Sequence, residues 1–257
     1  MLDKLFQAAS LSAKVRSETI SEAELTNQIS RLPDVIDVYE SLKPGPNIKL
    51  IAEIKRRSPS KGFLAEIPSA AQQASIYSEN GAHAISVLTE ESGFGGSLED
   101  LKVARTSANI PLLRKDFISN EYQILEARAN GADFILLILS WLKPSDFIRL
   151  NKFAHDLGLG VLVETHALDE IEIANEAGSR LIGINTRDLE TFKTDLGLFE
   201  KMAATLSAGA IKVAESSVRD VNDVRRYRDA GADVVLVGEA LVTGDPAVLI
   251  PEFVSVS

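Results

Sequence analysis

The sequence contains no cysteine. Without thiols the chain cannot form a disulfide, bind a metal through thiolates or use a cysteine nucleophile. It also lacks an apolar run long enough to span a bilayer, and its first residues carry no secretory pattern. We therefore expect a cytoplasmic protein that does not associate with a membrane.

Basic residues are outnumbered by acidic ones, 27 Lys and Arg against 37 Asp and Glu, which gives a formal net charge of −10. This balance argues against a nucleic-acid partner, because nucleic-acid binding needs a basic surface. An anionic ligand would have to be attracted by local cations and helix N-termini. Histidine is scarce as well, and His83, His155 and His166 lie at no metal-ligand spacing. We interpret each as a solvated or packing residue and predict no metal site.

What the sequence does contain is a repeated alternation of short apolar segments with amphipathic helical patterns, for example over residues 70–80, 120–130, 143–157 and 167–177. Strands that alternate with helices predict parallel βαβ units. Eight such units predict an α/β fold, a single (β/α)8 TIM barrel, which suits a chain of 257 residues. The candidate strands are residues 50–55, 84–88, 111–115, 134–138, 160–164, 181–185, 211–214 and 234–237.

A weak internal repeat supports the barrel. Gly81, Gly131, Gly178 and Gly231 recur along the chain at intervals of roughly 50 residues, close to the length of two βα units and within the range of repeat architectures. Glycine is favoured just after the last turn of a helix, because it adopts a positive φ without strain. We expect each glycine to end a helix and to precede an even-numbered strand.

Residues 1–47 precede the first strand and are too few to form a good core alone. Ser21 followed by Glu24 predicts a helix start with a capping box. We therefore predict one domain over residues 1–257, in which residues 1–47 form additional helices that pack on the barrel.

Polar residues stand at the ends of five of the eight predicted strands. Active sites of barrels lie at the carboxyl ends of the strands, so these side chains should meet at one mouth. Charges are costly to bury there unless they pair or bind a ligand. We favour a functional cluster, and a purely structural network of ion pairs is the alternative. The residues at these strand ends are Glu53, Lys55, Lys115, Glu164, Asn185, Arg187 and Glu215.

The turns after the last two strands predict a phosphate site. Ser216 and Ser217 follow the seventh strand, and Gly238 and Glu239 follow the eighth. Phosphate sites in barrels commonly use these two loops and the N-terminus of a short following helix. The alternative is that Gly238 is only a turn residue.

The basic loop 56–62 follows Lys55 at the predicted mouth. Such a charge run is often a solvated surface loop, but its position favours a lid over an anionic substrate. In the free protein Arg57 and Lys61 would have no anion to meet, so we expect the loop to be mobile without ligand.

Several segments resemble the motifs of indole-3-glycerol-phosphate synthases, and the resemblance extends over essentially the whole chain. The motifs of the third and sixth strands are the most specific, because other phosphate-binding barrels do not share them. The matching segments are Glu53-Ile54-Lys55-Arg56-Arg57-Ser58-Pro59-Ser60, Ser86-Val87-Leu88-Thr89-Glu90, Phe94-Gly95-Gly96-Ser97, Leu113-Arg114-Lys115-Asp116-Phe117, Gly183-Ile184-Asn185-Thr186-Arg187-Asp188-Leu189, Ala214-Glu215-Ser216 and Val237-Gly238-Glu239-Ala240-Leu241.

The resemblance implies an enzyme of tryptophan biosynthesis that needs no cofactor and no metal. The family converts 1-(2-carboxyphenylamino)-1-deoxyribulose 5-phosphate, a small anion with a carboxylate and a phosphate, to indole-3-glycerol phosphate, CO2 and water. By the resemblance, Lys115 meets the carbonyl oxygen that gains negative charge. Glu164 and Glu53 are then the candidate bases, and Lys55 is the candidate acid for the departing hydroxyl.

The resemblance also implies binding residues around these catalytic groups. Asn185 and Glu215 would orient hydroxyl groups and lysines, and Arg187 would bind the carboxylate or close the site. Lys55 or Ser58 would reach over the phosphate held by Ser216, Ser217, Gly238 and Glu239. The apolar slot for the aromatic ring would consist of Phe94, Phe117, Leu136 and Leu189.

Three positions depart from the family pattern, and at one of them Asn120-Glu121 replaces the usual Asp-Pro at a helix start. Ser217 stands where the family usually has glycine, and we expect a negative φ there, because a positive φ would strain a serine without an evident compensating contact. Trp141, after the fourth strand, is not expected from the family either.

Two other functions stay open. One is another phosphosugar barrel, such as an isomerase of tryptophan or histidine biosynthesis, against which Lys115 and the pair Asn185 and Arg187 argue. The other is a ligand-binding barrel that has lost activity through Ser217, against which the retained lysines and glutamates argue. We expect a monomer, and contacts with other enzymes of the pathway stay open.

Overall fold

The computed structural model describes residues 2–188 and 193–257, and within them eight parallel strands close into a barrel. Strand β1 closes the ring, because it pairs with both β8 and β2. The predicted α/β barrel is therefore confirmed. The strands are β1 (Lys49–Ile54), β2 (Ala84–Leu88), β3 (Leu112–Lys115), β4 (Phe134–Ile138), β5 (Gly160–Thr165), β6 (Leu181–Asn185), β7 (Ile211–Glu215) and β8 (Val234–Val237).

The observed strands agree with the predicted ones to within one residue. β2, β4, β6 and β8 have the predicted bounds. β1 begins one residue earlier than predicted because Lys49 already pairs with Val234 of β8. It ends at Ile54, so Lys55 lies just beyond the strand, at the start of the loop that follows.

Helices separate the strands and surround the barrel. The four helical patterns noted in the sequence agree with observed helices to within one residue at each end. A short antiparallel hairpin, Arg57–Ser58 with Gly62–Phe63, follows β1. The helices are α1 (Leu2–Ser17), α2 (Glu22–Ile29), α3 (Val38–Ser41), α4 (Ala70–Glu79), α5 (Leu98–Arg105), α6 (Glu121–Ala129), α7 (Pro144–Asp156), α8 (Leu168–Glu176), α9 (Leu196–Met202), α10 (Val221–Asp229), α11 (Glu239–Thr243) and α12 (Pro246–Val254).

The repeated glycines lie where the sequence places them. Gly81, Gly131, Gly178 and Gly231 follow α4, α6, α8 and α10, and each has a positive φ between 67° and 98°. A residue with a Cβ would be strained in this conformation. The four turns lead into β2, β4, β6 and β8, as predicted.

Alternation along the strands divides the core into two layers. On β1, Leu50, Ala52 and Ile54 face the surrounding helices, whereas Ile51 belongs to a second cluster inside the barrel. Phe134, Leu162 and Val213, among others, also belong to the interior cluster. Because the lower part of the barrel is filled with side chains, a ligand can enter only at the carboxyl end.

The N-terminal helices pack on both the mouth and the side of the barrel. Phe6 of α1 is fully buried, and its ring centroid lies 5.2 Å from that of Phe117. Trp141 stacks on the other side of Phe6 at 3.7 Å between centroids. The predicted capping box forms at α2, where the Ser21 N–H donates to Glu24 Oε2 at 2.7 Å and the Glu24 N–H donates to Ser21 Oγ at 3.3 Å. Among the described residues, no helix could cross a membrane by its length and apolar character.

Candidate active site at the carboxyl ends of the strands

A pocket of about 600 Å³ opens at the carboxyl ends of the strands. Its volume is in the range of small-molecule sites. It is lined by every described residue of the predicted site, whereas Leu189 lies outside the described residues. Those lining residues are Glu53, Lys55, Ser58, Phe94, Lys115, Phe117, Leu136, Glu164, Asn185, Arg187, Glu215, Ser216, Ser217, Gly238 and Glu239.

The charged part of the pocket lining, here called the charged wall, consists of Glu53, Lys55, Lys115, Glu164 and Glu215. Lys115 Nζ lies 3.4 Å from Glu164 Oε2 and 3.5 Å from Glu215 Oε2. Lys55 Nζ lies 2.5 Å from Glu53 Oε1. The three glutamates are buried, so each lysine has a carboxyl partner within the barrel mouth.

The charged wall sets the protonation states of its own members. Burial opposes the charge of Lys115, but the carboxylates of Glu164, Glu215 and Glu53 outweigh burial and raise its pKa above the ordinary value. Burial would likewise raise the pKa of Glu53 and Glu164, but Lys55 and Lys115 lower that of Glu53, and Lys115 and His166 lower that of Glu164. The site therefore holds a cationic lysine beside ionised carboxylates, which suits the stabilisation of a developing oxyanion and proton transfer.

Glu215 differs from the other two glutamates. Burial, and then the charge of Glu164, raise its pKa well above the ordinary value. Within the described residues neither of its carboxyl oxygens makes a hydrogen bond. Glu215 therefore favours its neutral form more than Glu53 and Glu164 do.

The apolar part of the pocket lining, here called the apolar wall, consists of Leu5, Phe94, Phe117, Leu136 and Ile138. The ring centroids of Phe94 and Phe117 lie 6.1 Å apart. The buried carboxylate of Glu90 positions the loop that carries Phe94, because it accepts hydrogen bonds from the backbone N–H groups of Ser92, Gly93 and Phe94 at 2.9, 2.7 and 3.1 Å.

The expected backbone of Ser217 is wrong. Ser216 and Ser217 have φ of 70° and 67°, both in the left-handed region. The compensating contacts come from β6 and the residue after it: the Ser216 hydroxyl donates to Asn185 Oδ1 at 2.8 Å, and Ser217 Oγ lies 3.0 Å from Thr186 Oγ1. Hydrogen bonds of this kind offset about 0.5–1.5 kcal/mol each, which is comparable to the cost of the strained backbone.

The expectation that Lys61 meets no anion in the free protein is also wrong, because Lys61 Nζ pairs with Glu239. The start of the loop is fixed as well, since Arg56 makes two hydrogen bonds to Asp100 at 2.7 and 2.8 Å. Both partners are far away in sequence, so the local charge pattern gave no sign of them. Ser58 and Lys61 nevertheless line the pocket, as a loop over the site would.

Several residues that shape the site were not predicted from the sequence. A Cβ at Gly183 would lie 2.0 Å from Glu215 Oε1. Gly238 was predicted, but only for the phosphate, and a Cβ there would lie 2.4 Å from Glu53 Oε1. A glycine inside a strand often marks such a close approach, and this signal was present at Gly183. Leu2 and Leu5 of α1 also line the pocket, and His166 lies beside Glu164.

Comparisons with known proteins identify the family that this chain resembles. A model of the family described as indole-3-glycerol phosphate synthase matches residues 2–250. Indole-3-glycerol phosphate synthase from Leifsonia xyli subsp. xyli is 49% identical over 232 residues, which cover 90% of this chain and 88% of that protein. The protein of the same name from a Parafrankia species is 45% identical over 255 residues, 99% of this chain and 95% of that one.

Among solved structures, a thiamine phosphate pyrophosphorylase from Pyrococcus furiosus superimposes with a TM-score of 0.61 over 80% of this chain and 93% of that one. Its sequence identity is 15%, so this likeness supports the fold alone.

Proposed function

Because this chain belongs to the indole-3-glycerol phosphate synthase family, we propose that the charged wall carries out the steps of that reaction and that the apolar wall holds the aromatic ring. The family's enzymes are carboxy-lyases of tryptophan biosynthesis. They close the indole ring of 1-(2-carboxyphenylamino)-1-deoxyribulose 5-phosphate, with loss of CO2 and water. The observation that carries the assignment is the placement of Lys115, a cation that is only 15% exposed, between two buried carboxyl groups and beside Phe117.

The first step is ring closure. The ring carbon that bears the carboxylate attacks the ketone carbon, and the electrons of the carbonyl bond move to its oxygen. Lys115 stabilises this oxygen and donates a proton, which gives a hydroxyl group. Loss of CO2 then returns its bonding electrons to the ring. The apolar wall supports this step because it holds a planar ring beside Lys115.

The second step is dehydration. The hydroxyl leaves as water with a proton from an acid, and a base removes a proton from the substrate to form the double bond. Lys55 and Glu53 lie 2.5 Å apart and can serve as this acid and base. Glu164, hydrogen-bonded to Lys115, is the other base and can return a proton to that lysine. Each lysine thus has its own carboxylate for recycling a proton.

The remaining predicted residues fit binding roles in the same proposal. Asn185 donates to Glu164 Oε1 at 3.1 Å and accepts from the Ser216 hydroxyl, which makes it a positioning residue. Arg187 Nη1 lies 3.4 Å from Ser60 Oγ of the loop over the pocket and is the candidate for the substrate carboxylate. The phosphate would lie between Ser216, Ser217, Gly238 and Glu239, with Lys55 or Ser58 reaching over it.

We further propose a cytoplasmic monomer in which residues 1–47 and the barrel form one domain. The burial of Phe6 against Phe117 supports the single domain, because α1 shares the interior cluster. A single unfolding transition seen by both fluorescence and circular dichroism, and a monomer mass in sedimentation, are the expected results.

The test of the function is turnover of the synthetic substrate by the purified chain, followed by the fluorescence of the indole product. We expect saturable turnover without added metal or cofactor. Folded protein that binds the substrate without forming indole would contradict the proposal and favour a ligand-binding barrel.

A further inference from the structure

His166 lies outside the reaction steps described above, yet its ring is enclosed by charged groups. It follows β5 directly, two residues after Glu164, so strand alternation turns both side chains toward the mouth. Its Nε2 lies 3.3 Å from Glu164 Oε1, and its Nδ1 lies 3.7 Å from Glu170 Oε2. Both ring nitrogens are buried and make no hydrogen bond within the described residues.

Such an environment is unfavourable for a neutral imidazole. A buried polar group without a hydrogen bond costs about 1–3 kcal/mol, whereas an imidazolium between two carboxylates gains from both. Glu170 is also fixed in place, because its Oε2 accepts the backbone N–H of His166 at 2.6 Å. The N-cap residue of α8, Ala167, makes no side-chain hydrogen bond. The hydrogen bond from the His166 N–H to Glu170 stabilises the first turn of α8 instead.

The titratable groups that face His166 are Glu164 from its own strand, Glu170 from α8 and Lys115 from β3. Burial lowers the pKa of His166, but the nearby carboxylates of Glu170 and Glu164 outweigh burial and the charge of Lys115, so the net shift is upward. The other two histidines behave in the opposite way. Burial lowers the pKa of His83 to about 4 and also lowers that of His155.

We propose that His166 is a positioning residue: as an imidazolium between Glu170 and Glu164, it holds the Glu164 carboxylate in place and ionised for proton transfer. The inference rests on the proposed role of Glu164. With this cation, Lys55 lies beside Glu53, and Lys115 and His166 both lie beside Glu164. Lys115 is then free to face the substrate, because it is not the sole counter-ion of Glu164.

The first test measures the charge of His166 without turnover. The histidine ring signals of the full chain are titrated by NMR and assigned with the H155Q and H166Q variants. We expect the pKa of His166 to be the highest of the three. Glu170→Gln and Glu164→Gln should each lower it by about one unit, the low end for an opposite charge at this distance. Glu172→Gln, an exposed change on the same helix, should leave it unchanged.

The second test measures the effect on Glu164. In His166→Gln the positive charge is lost, so the pKa of Glu164 rises. The acidic limb of the pH profile of kcat/KM should therefore move to higher pH by about one unit. We also expect kcat to fall about tenfold, the effect of a modest misplacement, with little change in KM. His155→Gln, an exposed change, is the matched control.

Two results would overturn the inference: a pKa of His166 no higher than those of His83 and His155, or a His166→Gln enzyme whose kcat and pH profile are those of the unchanged chain. If the chain does not turn over the substrate, the proposed function fails. The NMR titrations of the Glu170 and Glu164 variants then still decide whether His166 is the cation between these two carboxylates.

Discussion

The charged wall and the apolar wall face the same pocket but are held by different interactions. The charged wall is a set of ion pairs among strand ends, and its members are costly to bury. The apolar wall is held by packing of α1 against the strand ends, with Phe6 between Phe117 and Trp141. Changes in the charged wall should therefore act first on the rate, with a cost in stability wherever a buried group loses its counter-charge. Changes behind the apolar wall should lower stability and substrate affinity.

The largest effect is expected for Lys115→Ala. The carbonyl oxygen would lose its acid, and kcat should fall by at least ~10²-fold, the low end for a positioned acid. Binding of the product, measured by calorimetry, should survive. Lys201→Ala on α9 is an exposed control and should keep full activity. Near-normal turnover in the Lys115 variant would remove this residue from the mechanism.

Glu215→Gln tests whether the charged wall is costly to fold. Burial and Glu164 raise the pKa of Glu215 in the folded protein above its value in the unfolded chain. The stability that Glu215 contributes is therefore fully present at pH values below the unfolded pKa and is lost as the pH rises through the folded pKa. Glutamine cannot ionise. The free energy of unfolding of the variant should therefore increase relative to the unchanged chain as pH rises from about 4.5. Denaturant titrations at several pH values check this, and Glu252→Gln at an exposed site should show a constant difference.

Gly238→Ala tests the close approach within the charged wall. The added Cβ would lie 2.4 Å from Glu53 Oε1 and 2.9 Å from Lys55 Nζ, so this pair must move. We expect kcat/KM to fall at least about tenfold, since a shift near 1 Å can cost up to 10²-fold. Gly209→Ala meets no atom within 4 Å and is the matched control. Equal activity of the two variants would show that the pair tolerates displacement.

Trp141→Ala tests the apolar wall from behind. It removes the stack on Phe6 and the hydrogen bond from Trp141 Nε1 to Asp3 Oδ1 at 3.0 Å. We expect the free energy of unfolding to fall by about 1–2 kcal/mol and KM to rise more than kcat falls. Trp141→Phe keeps an aromatic stack and should lose less. A fall in kcat alone, with unchanged stability, would contradict the division between the two walls.

The smallest effect is expected for Ser217→Gly. Glycine adopts the observed φ of 67° without strain but loses the contact with Thr186. The relief of backbone strain should exceed the loss of the Thr186 contact, so the free energy of unfolding should rise by a few tenths to ~1 kcal/mol. Phosphate binding should also tighten, which calorimetry with inorganic phosphate measures. Ser217→Ala loses the same contact and keeps the strain, so it should be less stable than both.

The sequence was sufficient for the barrel and for the composition of the pocket. Alternating apolar runs determine the strands, and the parallel strands bring Glu53, Lys115 and Glu164 to one end whatever the details of the loops. What the sequence could not predict depends on partners distant in the chain. Ser217 tolerates its backbone because of Thr186, and Lys61 meets Glu239, 178 residues away. The interpretation of His166 as a solvated or packing residue misses its contacts with Glu164 and Glu170, because these depend on its orientation in three dimensions.

At the proposed phosphate site, the Lys61–Glu239 pair would make substrate binding an exchange of anions. The Glu239 carboxylate would compete with the phosphate for Lys61. The two side chains are 55% and 34% exposed, and a pair so exposed contributes at most about 1 kcal/mol, so the competition weakens apparent affinity by no more than about fivefold. Salt screens the internal pair as well as the attraction between Lys61 and the phosphate. Because these two effects oppose each other, substrate affinity should depend less on ionic strength than it would with an unpaired lysine at this position.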